Sequence, residues 1–126
     1  KLKRNPEEME ILGDGQQEKS FFLVEDCIDG IFSAFHNSDA WCDVFNLGCS
    51  SGTRVTRVAE IVTEEMGLSG VRFRYTGGRR GWVGDVTQMR LDVSKMKKLG
   101  WEAKHTSDEA VRAAARRLLG MTGPIS

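Results

Sequence analysis

The chain has 126 residues, with 18 lysines and arginines against 18 aspartates and glutamates, so its formal net charge is zero. This balance argues against a general nucleic-acid binder or a polybasic membrane binder, because both classes depend on surplus positive charge. About 40% of the residues are hydrophobic and 29% are charged, which is typical of a folded globular domain. The length predicts a single domain over residues 1–126.

The cysteines and histidines give little support for a disulfide framework or a metal site. Cys27, Cys42 and Cys49 are odd in number and form no Cys-x-x-Cys pair, while His36 and His105 lie far apart. We therefore predict reduced thiols in a cytoplasmic protein, with no bound metal. The apolar runs are too short to span a membrane. The first residue is lysine rather than methionine, so we expect the chain to be part of a longer protein.

The first third of the chain predicts two extended segments followed by a helix. Residues 1–7 are expected to be the end of a preceding helix or a linker, stopped by the proline at position 6. Met9–Leu12 is a short strand candidate closed by the turn Gly13-Asp14-Gly15, and residues 20–24 form a second extended run. Apolar residues then recur at helical spacing, which predicts a helix to about residue 37 with Asp26 at its start.

The middle of the chain alternates between strand and helix patterns. Val44–Leu47 is predicted to be a buried strand, and Thr53 is predicted to be the N-cap of the next helix. That helix has an apolar stripe over residues 55–66 and is closed by Gly67. Alternating apolar and charged residues over positions 71–75 predict a half-exposed strand.

The last third begins with a glycine-rich loop and ends with a well-marked helix. Residues 76–86 predict a loop, residues 89–91 a short extended piece, and Asp92 the cap of a short helix ending at residues 99–100. Thr106 and Glu109 fit a capping box. The stripe expected to be buried in this helix consists of Ala110, Val111, Ala114, Leu118 and Leu119, with Gly120 and Pro124 ending the element. Mixed strands and helices with short connections predict an α/β or α+β class.

One loop has the composition of an anion-binding site. The glycine-rich segment 76–86 carries Arg79 and Arg80 and follows a strand with Arg72 and Arg74. Guanidinium groups and the backbone amides of a glycine loop suit a diphosphate. The alternative is a solvated loop whose arginines pair with neighbouring carboxylates. The sequence contains no Gly-x-x-Gly-x-x-Gly fingerprint that opens a helix directly after a strand, and no Tyr-x-x-x-Lys pair, so we predict no catalytic or cofactor-binding residue in it.

Three segments together resemble the extended short-chain dehydrogenase family. Residues 13–26, GDGQQEKSFFLVED, resemble its G-D-G-x-Q-x-R-D-[FY]-x-x-V-x-D segment, and residues 44–48, VFNLG, its [VI]-[FY]-N-[IL]-G strand. Residues 80–101 are similar to its R-x-x-G-D, D-x-S-K and L-G-W ending. The order and spacing agree over roughly residues 8–119, and the likeness is closest to UDP-glucose 4-epimerases and related NAD-dependent nucleotide-sugar epimerases and dehydratases.

This resemblance implies a fold and a separation of substrate binding and catalysis between two domains. It covers only the C-terminal substrate domain of the family, a small mixed-sheet α/β (α+β) domain, and implies that NAD and the proton-transfer pair belong to an N-terminal Rossmann domain absent from this sequence. The implied partners are a UDP-sugar and that Rossmann domain, in an intact protein that is a homodimer and binds neither nucleic acid nor membrane. Two alternatives remain open: a related dehydratase or decarboxylase domain, and a stand-alone non-catalytic binding module.

The resemblance also implies four substrate-binding residues. The first diphosphate-binding arginine of the family falls on Lys19, which keeps the charge but not the bidentate fork. The second falls on Arg80 if the loop bulges, because Gly81 and Trp82 are extra compared with the shorter R-x-G-D form of the motif, in which Trp82 occupies the counted position; Arg79 is an alternative. Asp85 matches the residue that contacts the nucleotide ribose, and Val55 matches an apolar position that packs on the base.

Overall fold

A computed structural model describes residues 1–120 of the chain, which form two small sheets and four helices. Strand β1 (Glu8–Ile11) pairs in parallel with β4 (Arg72–Tyr75), so that Ile11 lies opposite Tyr75. Between these strands in the chain runs helix α2 (Val55–Glu65), which contacts β1. A parallel pair joined through a helix is the usual βαβ arrangement.

The second sheet has three very short strands and positions the candidate site. Its central strand β2 (Glu18–Lys19) is antiparallel to β3 (Thr53–Arg54) and parallel to β5 (Gln88–Met89). Lys19 lies opposite Thr53 on one side and Met89 on the other. The sheet is therefore mixed, which confirms the predicted class of a small mixed-sheet α/β domain.

The helices form close to where the sequence predicts them. They are α1 (Val24–Asn37), α2, α3 (Ser94–Lys98) and α4 (Ser107–Leu118). The capping box of α4 is present, because the Thr106 side chain accepts from the Glu109 N–H and the Glu109 carboxylate accepts from the Thr106 N–H. Gly67 follows α2 with a φ of 64°, as its predicted C′ position requires. Pro124 lies outside the described residues.

The core lies between α2, α4 and the segment before α1. Ile61 and Met96 are fully buried, and Leu23 packs with Ala110 and Ala113. Trp101 is buried, as predicted, and its indole N–H donates to the Asp29 carboxylate at 3.1 Å. Among the helices of residues 1–120, none is long and apolar enough to cross a bilayer.

Two predictions in the middle of the chain are wrong. Val44–Leu47 forms no strand, and the Val44 side chain is 79% exposed, because no other described strand pairs with this segment. Thr53 is not an N-cap; it lies in β3, and its buried hydroxyl bonds to the Ser107 hydroxyl at 2.7 Å and the Asp108 carboxylate at 2.6 Å. Arg54 occupies the N-cap position instead.

Asp26 lies in the first turn of α1, as predicted, but does not cap the helix; its buried carboxylate accepts the backbone N–H of His105 at 3.0 Å. Two smaller details differ from the predictions. Asp92 precedes the cap residue Val93, although its carboxylate accepts the Ser94 N–H. In α4, Ala114 and Leu118 of the predicted buried stripe are exposed, whereas Ala110 and Val111 are buried as predicted and Ala113 and Ala115 are buried in addition.

Helix α1 turns its apolar face away from the rest of the domain. The residues buried on α1 are Asp26 and Gly30, and a Cβ at Gly30 would lie 2.8 Å from the Trp101 ring. The opposite stripe is exposed to 49–78% and consists of Val24, Ile28, Ile31, Phe32 and Phe35. We therefore find the helix where the periodicity predicts it, with the predicted apolar stripe facing outwards.

Candidate functional site

The fold brings two of the predicted site residues into direct contact. Lys19 Nζ donates to Asp85 Oδ1 at 2.9 Å, although the two residues are 66 positions apart. Lys19 is held on β2, while Asp85 lies in the loop between β4 and β5. The Lys19 side chain is 37% exposed and that of Asp85 only 6%, so the cation faces solvent more than the carboxylate does.

Asp85 is fixed by its own loop as well as by Lys19. Its Oδ2 accepts the Gly81 N–H at 3.0 Å, and its N–H donates to the Trp82 carbonyl at 3.0 Å. The Lys19 ammonium, followed by the Gly81 N–H and more weakly by the charge of Arg80, holds the pKa of the Asp85 carboxyl below its usual range. The carboxylate is therefore ionised at neutral pH and free to accept further hydrogen bonds.

A pocket of about 290 Å³ opens beside this ion pair, and we call it the Lys19 pocket. Its polar wall consists of Lys19, Asp85, Gln17 and Glu10, and the Glu10 carboxylate also pairs with Arg74 of β4. Most of the remaining wall is apolar, formed by Met9, Ile11, Leu12, Val55, Val58, Ala59 and Trp82. The pocket therefore offers one cation, two carboxylates and a larger apolar surface.

Val55 reaches this pocket because the first sequence segment starts helix α2. The N–H groups of Val55 and Thr56 donate to the carbonyls of Gln17 and Gly15 at 3.0 and 3.1 Å. The turn needs glycine at Gly13 and Gly15, whose φ angles are 83° and 75°. Two of the amides at the N-terminus of α2 thus already have protein partners, and the cation available for an anion in the pocket is Lys19.

The two arginines of the glycine-rich loop lie outside the Lys19 pocket. Arg80 is exposed, and its side chain forms no hydrogen bond or ion pair with residues 1–120. Arg79 lines a second, more polar pocket of about 280 Å³ that also contains Asp14, Glu18 and Arg54. The structure therefore brings Lys19, Val55 and Asp85 together but not Arg80.

The arginines of strand β4 are neutralised by its neighbour. Arg72 donates to the Glu8 carboxylate at 2.6 Å, and Arg74 bonds to both Glu8 and Glu10 on β1. Both arginines of this strand therefore already have carboxylate partners. They are not available as an anion site.

Two pocket residues were not assigned a role from the sequence. Gln17 is 2% exposed; its amide donates to the Leu12 carbonyl at 3.2 Å, and its Oε1 has no hydrogen-bond partner among residues 1–120. Trp82 lies on the pocket wall and is 63% exposed. In the sequence, Gln17 could have been noticed because it lies in segment 13–26, which resembles the family. Trp82 could have been noticed because it occupies the position where the family has an arginine. Whether a residue lines a pocket depends on contacts between distant parts of the chain, which a local sequence pattern does not predict.

The described residues do not fit NAD or a metal ion. The glycine turn after β1 leads into strand β2, whereas a dinucleotide pyrophosphate requires a glycine turn that opens a helix. Residues 1–120 contain no group of three His, Cys, Asp or Glu side chains that could hold a metal ion. No step of chemistry through NAD is therefore assigned to these residues.

The chain resembles several curated nucleotide-sugar enzymes in sequence. It is 28% identical over 102 residues to a putative UDP-glucose 4-epimerase of Methanocaldococcus jannaschii, covering 81% of this chain and 31% of the relative. It is 30% identical over 105 residues both to UDP-glucose 4-epimerase of Dictyostelium discoideum, covering 80% and 29%, and to UDP-glucuronic acid decarboxylase 1 of Arabidopsis thaliana, covering 82% and 22%. The chain thus spans less than a third of these relatives. No family model matches it.

Solved structures agree with the sequence relatives. A UDP-galactose 4-epimerase is 35% identical with a TM-score of 0.76, covering 97% of this chain and 38% of the other. The Thermotoga maritima UDP-glucose 4-epimerase, solved with UDP-glucose, is 29% identical with a TM-score of 0.72, covering 90% and 35%. MoeE5, solved with UDP-glucuronic acid and NAD, is 27% identical with a TM-score of 0.69, covering 90% and 38%.

Fold and sequence together define the class: the homologues and structural neighbours of this chain are members of the NAD-dependent epimerase/dehydratase family of sugar-nucleotide-modifying enzymes. Within that family its homologues and structural neighbours include UDP-glucose 4-epimerases, of which it matches about a third of the length. The resemblance stated from the three sequence segments is confirmed.

Proposed function

We propose that this chain is the C-terminal substrate-binding domain of a UDP-glucose 4-epimerase-like enzyme and holds the nucleoside diphosphate of a UDP-sugar. The observation that carries the proposal is the Lys19–Asp85 pair, 2.9 Å apart, at the wall of a pocket that Val55 also lines. The relatives solved with UDP-sugars support the ligand class.

Each side chain has a chemical task in this proposal. The Lys19 ammonium donates to a phosphate oxygen, for which a half-exposed cation is well placed. The ionised Asp85 carboxylate accepts the ribose hydroxyls, because carboxylates accept several hydrogen bonds at once. Val55 packs against the base. Arg80, which is exposed and unpaired among residues 1–120, is free to close over the diphosphate.

The test is calorimetric titration of the chain with UDP. Lys19→Met should weaken UDP binding roughly 10-fold or more, because a hydrogen bond to a charged group contributes about 1.5–3 kcal/mol. Lys104→Met is the matched control, since it removes an exposed cation that pairs with Asp29 on helix α1. Equal affinity of the Lys19 and Lys104 variants contradicts the assignment of Lys19.

The role of Arg80 is tested by a separate pair of variants, because the Arg80 side chain does not line the Lys19 pocket. Arg80→Ala should weaken UDP binding by about 1.5–3 kcal/mol if its guanidinium meets the diphosphate. Arg79→Ala, which removes the neighbouring cation of the second pocket, is the control. If Arg80→Ala leaves the UDP affinity unchanged and Arg79→Ala lowers it, the phosphate contact is made by Arg79 and the assignment of Arg80 is wrong.

We propose further that the chain alone performs no turnover and that its cofactor, NAD, is bound by another domain of the full protein. The sequence has no Tyr-x-x-x-Lys pair, and the described residues do not fit NAD. The exposed apolar face of α1 is then the surface that this NAD-binding domain covers, in a protein about two and a half times as long as the chain, as the Methanocaldococcus jannaschii relative is. Measurable epimerisation of UDP-glucose by the purified chain would refute this part.

A second candidate is the corresponding domain of a decarboxylase or dehydratase. The observation that favours it is the 30% identity to UDP-glucuronic acid decarboxylase 1, equal to the identity with the Dictyostelium epimerase. Both candidate functions require binding of the same nucleotide, and they differ in the sugar that is attached to it. Assaying the full-length protein with UDP-glucose and UDP-glucuronic acid, and identifying the product of each, distinguishes them.

A further inference from the structure

Trp82 is an aromatic side chain that the fold presents at the Lys19 pocket without burying it. It lines the pocket and is 63% exposed. Leaving a tryptophan this exposed forgoes the favourable burial that its large apolar surface would give, so a ring beside a pocket is a candidate ligand contact.

The loop around Trp82 is built tightly enough to hold the ring in place. The Trp82 carbonyl accepts the Asp85 N–H at 3.0 Å, and the Asp85 carboxylate accepts the Gly81 N–H at 3.0 Å. The six-membered part of the indole lies against Gly84, where an added Cβ would come within 2.5 Å of the ring. Asp85 in turn is tied to Lys19 on β2. The backbone of Trp82 is thus tied to β2 through Asp85, and Gly84 supports one face of the indole.

The composition of the pocket indicates what the ring contacts. A pocket for phosphate alone needs cations and amides, but this one has a single cation, two carboxylates and an apolar majority. Its volume of about 290 Å³ lies at the small end of ligand pockets, which suits one ring system with its attached sugar better than a whole nucleotide sugar. A flat, partly apolar nucleobase matches both properties.

We infer that Trp82 is the base-stacking residue of this pocket, so that affinity for the ligand comes from its nucleobase more than from a second phosphate contact. The inference rests on the proposed function and adds the residue that selects the ligand. Stacking fits the π face of an indole, and Val55 supplies apolar contact on the same pocket wall.

The experiment compares UDP with inorganic pyrophosphate by calorimetry, on Trp82→Ala, Trp82→Leu and Trp82→Phe. Because base–aromatic stacking typically contributes on the order of 1–3 kcal/mol, Trp82→Ala should bind UDP roughly 5- to 150-fold more weakly. Trp82→Leu, which keeps apolar area without a π face, should lose nearly as much, whereas Trp82→Phe should lose least. Pyrophosphate affinity should stay unchanged in all three variants.

Trp41→Ala is the matched control, because Trp41 is fully exposed and does not line the pocket. Its UDP affinity should equal that of the wild type. Unchanged UDP affinity in Trp82→Ala, with normal binding by the wild type, overturns the stacking role and leaves the proposed function standing. Parallel loss of UDP and pyrophosphate overturns it too, since Trp82 then only shapes the loop. A wild-type chain that binds no UDP refutes the proposed function itself.

Discussion

A single carboxylate, that of Asp85, connects the loop after β4 to strand β2. One of its oxygens meets the Lys19 ammonium and the other meets the Gly81 N–H. This arrangement gives each oxygen of a nearly buried carboxylate one hydrogen-bond donor, which avoids the cost of an unpaired buried charge. The same residue therefore shapes the pocket and, in our proposal, binds the ribose.

The pH dependence of stability follows from the lowered pKa of Asp85. Because its pKa is lower in the folded state, its contribution is present above the unfolded value of about 3.9 and is lost as pH falls through the folded pKa. Asp85→Asn should therefore be less stable than the wild type at neutral pH, with the difference shrinking below about pH 4. Urea unfolding across this range measures it, with exposed Asp39→Asn as control. A difference that is constant with pH contradicts this role.

Three of the four residues that the resemblance implies for the site lie together in the structure. The resemblance named Lys19, Val55 and Asp85, and the structure places all three on one pocket. It could not position Arg80, since an exposed side chain in a glycine loop has no packing that fixes it. Trp82 was recognised as occupying the counted position, but only the pocket shows what it adjoins.

At the scale of elements, helix α4 depends on the cap at its first turn. Thr106→Ala removes the side-chain oxygen that accepts the Glu109 N–H. We expect a loss of about 0.5–2 kcal/mol in the free energy of unfolding, the usual cost of removing an N-cap. Chemical denaturation monitored by circular dichroism measures it. Ser69→Ala, at an exposed position after α2, should change stability by much less.

Helices α2 and α4 are also joined by ion pairs, and the most enclosed of these involves Glu65. Its side chain is 6% exposed and bonds to Arg112 and to Arg116, the latter at 2.6 Å. These two guanidinium groups, Arg116 first, hold the pKa of the Glu65 carboxyl below its usual range. Glu65→Gln should cost about 2 kcal/mol, because two charge-assisted bonds are weakened at an enclosed site.

The control for this prediction is on the same helix. Glu64 bonds to Arg57 and Arg112, but its side chain is 45% exposed, so solvent screens its pairs. Glu64→Gln should destabilise the chain less than Glu65→Gln in the same urea titration. A larger effect at Glu64 would show that enclosure does not set the strength of this network.

Whole elements were predictable when their signal was local. The capping box of α4 and the glycine after α2 lie within a few residues of the ends they define. The strand predicted over Val44–Leu47 failed because a strand exists only through a partner, and none of the described strands reaches this segment. Thr53 was misassigned for the same reason: it lies in β3, which exists because it pairs with the distant strand β2.

At the scale of the whole molecule, α1 differs from an ordinary surface helix in which of its faces is buried. It buries an aspartate and a glycine and exposes its apolar stripe, an arrangement that favours contact with another apolar surface. The periodicity predicted the helix correctly, but no pattern in one sequence states whether a stripe faces its own core or another domain.

We expect the purified chain to self-associate through this face. The sedimentation coefficient should rise with protein concentration, and the double substitution Ile31→Ser with Phe35→Ser should abolish the rise by removing exposed apolar surface. Val83→Ser is the control, because Val83 is 95% exposed but lies outside α1. A monomer at every concentration, or equal association of the α1 variant, contradicts the expectation.

The start of α2 on the carbonyls of Gly15 and Gln17 has an evolutionary consequence. It joins the glycine turn, Lys19 and Val55 into one unit, so an inserted or deleted residue between positions 13 and 19 would displace both ligand contacts at once. Residues 79–84 form no helix or strand, and most of their side chains are exposed. Natural variants of this domain should therefore acquire new ligand preferences by substitutions at 79–84, while the length of the first segment stays constant.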